Sequence, residues 1–161
     1  LHQGRFSSDL VESVLAADFE RIATIEPRLQ ALQRLRQSED FEPLAAAFKR
    51  VANIVRKAPS ELAGADVDPN LLQETAERAL HDGAESLRDV MVCHLDEDDF
   101  EAALGHLVTL KPAVDRFFDE VLVMSDEDAL RINRLALMRQ VGGLFSQIAD
   151  FARIQSVREV A

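Results

Sequence analysis

Residues able to do acid–base, nucleophilic or metal chemistry are few in this 161-residue chain: four histidines (His2, His81, His94, His106) and one cysteine, Cys93. Glu77 and His81 lie four apart and share a face on a helix. A di-metal helical bundle needs Glu-x-x-His twice, and the motif is absent. The pair therefore reads as a surface ion pair, with a metal role as the alternative. Cys93 and His94 are adjacent, so on a helix they point about 100° apart and make a poor nucleophile–base couple. Cys93 reads as a small buried hydrophobe. Gly142-Gly143 lacks the Lys-Ser/Thr of a phosphate loop, and no serine sits in a nucleophile elbow. The acidic runs Asp96 to Asp99 and Asp126 to Asp128 lack the alternation and central glycine of a calcium loop. They read as carboxylates at helix starts. No catalytic constellation, metal site or cofactor is expected in this chain.

Binding chemistry is better supplied. In Phe48-Lys49-Arg50-Val51-Ala52-Asn53-Ile54-Val55-Arg56-Lys57, a step of about 100° per residue puts Phe48, Val51, Ala52 and Val55 on one stripe. Lys49, Arg50, Asn53, Arg56 and Lys57 fall in one arc on the other side, with no acidic residue in the segment. The chain as a whole carries −11, so its remainder is more acidic still. Two readings follow. The cations answer carboxylates on neighbouring helices and the helix dipole, or they form a local site for phosphates, with Asn53 free to bond a base or sugar. No aromatic residue interleaves with this face, so a stacking platform is not expected there.

Arg131, Asn133 and Arg134 lie in a segment whose apolar residues go most of the way round a helix. Burial of an unpaired charge is prohibitive, so they need partners. Asp115 and Asp119, one helix earlier, are the candidates for a structural ion-pair network.

These residues must be positioned by helices. Gly numbers 6 and Pro 5, with no Trp or Tyr, and strand-like alternation is nowhere sustained. The spacing predicts an all-α bundle of about six to seven helices. Ser8-Asp9 should cap the first, to about Ala17. The second should run from about Phe19 to Gln37, kinked or restarted at Pro27, with Leu29, Leu32 and Leu35 inward. Ser38 to Asp40 offer caps for a third that tolerates Pro43 in its first turn and ends near Lys57. Ala58 to Val67 should be loop. Asp68-Pro69 should open a long helix to about His94, and Asp96 to Asp99 another to about Leu110. Pro112 should start a further helix to about Met124. Ser125 to Asp128 reads as a capping box, and the last helix should reach about Gln155. Residues 8–155 form the expected domain, with 1–7 an expression remnant or linker and 156–161 a tail. No apolar run approaches the ~18–20 residues that span a bilayer, and the single cysteine fits a cytoplasmic setting.

Four segments taken together carry a resemblance: Phe48 to Ile54, Val114 to Met124, Leu130 to Leu135 and Ile148 to Phe151. In order, spacing and helix pattern, over about residues 8–155, the chain resembles the C-terminal region of the β subunit of bacterial tetrameric glycyl-tRNA synthetase. Asp128-Ala129-Leu130-Arg131 spells the tetrapeptide for which this arginyl-type (DALR-like) helical class of anticodon-binding domain is named. The resemblance implies an anticodon-recognition module without chemistry of its own. ATP and Mg would be bound elsewhere in the parent ligase. Implied partners are the anticodon stem-loop of glycine tRNA, and the α subunit and second β subunit of an α2β2 tetramer. Lys49-Arg50-x-x-Asn53 matches the family pattern and is implied to face tRNA; Arg56 and Lys57 join on wheel geometry alone. The alternative is a helical protein-interaction domain that docks synthetase subunits without touching RNA.

Overall fold

A computed structural model describes residues 5–17, 21–60 and 64–155. Among them are six α-helices and no strand: α1 Ser8–Ala17, α2 Ile25–Arg36, α3 Phe41–Lys57, α4 Thr75–Asp96, α5 Phe100–Glu120 and α6 Asp128–Ser146. Short 3-10 turns occupy Ile22–Thr24, Pro69–Leu71 and Phe151–Arg153. None of the described helices is long and apolar enough to cross a membrane. The expected helix start at Phe19, residues 1–4 of the leader and the tail 156–161 lie outside the described residues.

One apolar core runs from Phe6 to Ile154 and draws on every helix. α4 and α5 form an antiparallel hairpin, α2 lies along α5, and α3 lies along α6. The α4–α5 turn puts Asp98 at φ 56°, a left-handed conformation that aspartate tolerates better than most residues. Asp99 then caps α5 by accepting from Ala102 N at 3.1 Å. Gly83 in α4 meets the methyl end of Leu110: a Cβ there would stand 3.0 Å from Leu110 Cδ1. The missing side chain lets the two helices approach.

Several helix boundaries differ from the expectation. The second helix opens only at Ile25, after a separate 3-10 turn, with Pro27 in its first turn, which is the restart expected at this proline. Asp9 does not cap α1; its carboxylate reaches Gln155 N at 2.9 Å and Arg36 Nη1 at 3.2 Å. The long α4 opens at Thr75, since Asp68-Pro69 makes only one 3-10 turn. Leu72 drops into the core next, and Glu77 receives Gln73 N and Glu74 N at 2.9 and 2.7 Å. α5 is continuous through Pro112. A mid-helix proline costs about 3 kcal/mol, but Leu107, Leu110, Val114 and Phe117 are buried on both sides of it. At about 1.5–3 kcal/mol for each such side chain, burial outweighs the proline.

The capping box at Ser125 is also replaced. Ser125 Oγ accepts from Glu127 N at 3.2 Å, and the Asp128 carboxylate binds Arg131 instead of reaching back. α6 stops at Ser146, short of Gln155. Beyond it Ile148 and Phe151 turn into the core, and Asp150 N donates to Ser13 O at 2.8 Å. Long-range contacts, absent from any local pattern, end this helix.

Candidate nucleic-acid interface

α3 has no side-chain cap at Asp40; it is held by what it buries. Phe41, Leu44, Ala45, Phe48 and Val51 face the core. Phe48 stacks on Phe145 of α6, centroids 4.3 Å apart, and meets the edge of Phe151 at 5.3 Å. Val51 and Val55 pass Gly142 of α6, where a Cβ would stand 3.6 and 3.8 Å from them. These contacts fix the rotation of α3 about its axis and leave its other face outward.

That outward face carries the five residues singled out above. Arg50, Asn53, Arg56 and Lys57 are exposed; Lys49 is half-buried and already engaged. Arg56 Nη2 donates to Asn53 Oδ1 at 2.8 Å, so the Asn53 carbonyl is occupied and its amide N–H groups remain the outward donors. Arg50 and Lys57 have no carboxylate partner among the described residues. The helix continues to Lys57 and ends as Ala58 turns extended, so Arg56 and Lys57 lie in its last turn, where cations suit the helix dipole.

An aromatic residue does reach this surface, against the expectation. The Arg50 guanidinium carbon lies 4.1 Å from the centroid of the Phe118 ring, which α5 supplies. A signal for it existed. Phe117 and Phe118 are consecutive, so on one helix they point about 100° apart and cannot both enter the same core. Phe117 is buried, and Phe118 is half-buried against it, centroids 5.7 Å apart.

The residues around Arg131 serve a different end. Arg134 is buried and donates through Nε to Glu77 Oε1 at 2.7 Å and through Nη1 to Leu122 O at 2.8 Å. Asn133 clasps the Asp68 backbone in both directions, accepting its N–H at 2.7 Å and donating to its carbonyl at 3.0 Å. Arg131 donates to Ser125 O at 2.8 Å and pairs with Asp128. The partners are thus not Asp115 and Asp119. Asp115 pairs with Lys111 one turn back on α5, and Asp119 is exposed; neither lies on the buried side of that helix. Glu77 does not pair with His81, whose Nδ1 lies 3.4 Å from Asp82 Oδ1. Cys93 is exposed rather than buried. No group of three or more His, Cys, Asp or Glu among the described residues could hold a metal ion.

Comparison with known proteins gives this geometry a context. Residues 44–160 match the DALR anticodon binding domain. Over 149 residues the chain is 44% identical to the glycine–tRNA ligase beta subunit of Myxococcus xanthus, covering 92% of this chain and 21% of that protein. The corresponding subunit of Anaeromyxobacter dehalogenans strain 2CP-C is 49% identical over 152 residues, covering 94% and 22%. That of Geotalea uraniireducens is 43% identical over 150 residues, covering 93% and 21%. The chain therefore spans about a fifth of the length of the curated relatives it matches. The match begins in the first turn of α3, takes in the whole cationic face, and runs through the buried Arg134 clamp. With that match and an all-helical architecture around it, the chain belongs to the DALR anticodon-binding domain family.

Proposed function

We propose that the outward face of α3 holds the anticodon stem-loop of a glycine-accepting tRNA, and that this chain serves as the recognition module of a glycine–tRNA ligase beta subunit. The carrying observation is a row of cations left without carboxylates on an otherwise acidic molecule: Arg50 and Lys57 lack such a partner among the described residues, while the chain carries −11. Carboxylates were available in number to neutralise a merely structural helix face. Phosphate contacts position an RNA and base-edge contacts specify it. Arg50 and Lys57 suit the first role, and the Asn53 amide suits the second.

In this reading the chain does no bond-making. Glycine activation with ATP and Mg takes place elsewhere in the ligase, whose α subunit and second β subunit complete an α2β2 assembly in the cytoplasm. Most phosphate affinity comes from that assembly, and this module adds local specificity. A second reading has the exposed Leu122 and Met124 in its favour, 70% and 62% accessible: a surface that docks a neighbouring subunit without RNA.

Titration of the chain with the anticodon stem-loop at low salt separates them. Anticodon-dependent binding that weakens with salt, and that is lost in Arg50→Glu/Lys57→Glu with helix content intact, supports RNA recognition. Equal binding of a scrambled loop, or unchanged binding by the folded variant, sinks it and leaves subunit docking.

A further inference from the structure

Among the described residues there are three cation–ring contacts, and two of them are internal. Arg28 lies 5.0 Å from Phe100 and donates to Ile148 O, and Arg36 lies 5.9 Å from Phe41 and binds Asp9, Ser7 and the carbonyl of Gln155. The third is built differently. Arg50 is exposed, is closer to its ring at 4.1 Å, and has no hydrogen bond or ion pair among the described residues. A guanidinium is planar, with two faces and five N–H donors around its edge. Here the guanidinium carbon lies over the Phe118 ring while Arg50 as a whole is exposed. Charge alone would be served equally by lysine, whereas a supported plane serves stacking.

We propose that Arg50 on Phe118 is a stacking platform for one unpaired RNA base. The base lies on the outer face of the guanidinium, and the edge donors reach an adjoining phosphate. Phe118 acts from beneath as a positioning residue by holding the plane. Lys57 sits two turns along the same face of α3, about 10.5 Å away along the axis, where it meets the backbone beyond the stacked base. A paired base has both faces covered by its neighbours, so the ligand is a loop or single strand. The inference rests on the RNA-facing reading of α3 and adds to it the mode of contact.

The test uses the 161-residue chain, with anticodon stem-loops made abasic at one loop position at a time. Arg50→Lys keeps the charge and loses the plane; Phe118→Leu keeps apolar volume and loses the ring. One abasic position should weaken wild-type binding about tenfold, the scale of a single base–side-chain stack. Each variant should weaken the intact loop by a similar factor and lose nothing more on that abasic loop. Phe118→Leu should leave the salt dependence unchanged, because no charge is removed. Should Phe118→Leu unfold, Arg50→Lys at its exposed position carries the same comparison. Variants that bind every loop as wild type does, or losses that simply add to those of the abasic loops, overturn the platform. If Arg50→Glu/Lys57→Glu still abolishes anticodon-dependent binding, the phosphate-binding role of α3 survives that result. If wild type binds no loop, both fall.

Discussion

Arg131 and Arg134 stand one turn apart on α6 and carry the same charge, but their surroundings give them unequal weight. Arg134 is buried against a fully buried Glu77, whose second oxygen accepts from the N–H groups of Gln73 and Glu74 just ahead of α4. Arg131 is 30% accessible and its carboxylate partner 80%. Removing one member of a buried pair costs about 3–5 kcal/mol, against about 0–1 kcal/mol for an exposed pair. In urea denaturation Arg134→Met should lose several kcal/mol and Arg131→Met little more than the loss of its bond to Ser125 O. Equal losses would contradict the burial argument. Asp9 offers a pH signature. Burial raises the pKa of its carboxyl, but hydrogen bonds from Ser7, Gln155 N and Arg36, with the Arg36 charge, outweigh this and hold it below the ordinary 3.8. A depressed carboxylate contributes stability above its unfolded pKa and loses it as pH falls through the folded one. Asp9→Asn should therefore destabilise the protein at neutral pH, by about 1.5–3 kcal/mol for a charged acceptor. The gap between variant and wild type should close below about pH 4, as read by thermal melts across pH.

At the scale of the helix, glycine and proline make opposite tests of packing. Gly105 has open space around its Cβ position, while a Cβ on Gly83 meets Leu110 at 3.0 Å. Both are helical, so alanine gains about 0.5–1 kcal/mol of backbone propensity at each. Gly105→Ala should show that gain in thermal melts. Gly83→Ala should lose most or all of it, since α4 and α5 must part or Leu110 must shift. Pro112 is exposed in the interior of α5. Pro112→Ala restores one backbone hydrogen bond and should stabilise by about 2–3 kcal/mol. A destabilised variant would mean that the helix is bent there for a purpose. The misplaced boundaries share one cause. Neighbours in sequence place a break at Pro112 and carry α6 to Gln155, while burial of Val114 and Phe117, and of Ile148 and Phe151, decides both in the structure.

For the whole molecule, the net charge of −11 sets what RNA binding must look like. A net anion repels phosphate at long range, and that repulsion is screened beyond about 8–10 Å at ordinary salt. Contact must then come from a few local cations. Each phosphate they neutralise on a single strand contributes about −0.7 to the slope of log K against log salt. Lys57→Gln should weaken loop binding and make that slope shallower by about 0.7, measured by anisotropy titrations at several salt concentrations. An unchanged slope would place the phosphate contact elsewhere.

Composition and periodicity were enough to specify an all-helical chain, the inward stripe of α3 and its opposing cations, because those follow from local spacing at 3.6 residues per turn. The same spacing marked Asn133 and Arg134 as groups that burial would oblige to find partners. It could not say which. Glu77, the Asp68 backbone and the Leu122 carbonyl are far from them in sequence and come within reach only when α4 and the α5–α6 link close on α6. Phe118 beneath Arg50 is the same kind of fact. A helix wheel shows which face of one helix turns outward; what lies under that face depends on the rotation of its neighbour, and that is set by the packing of the whole core.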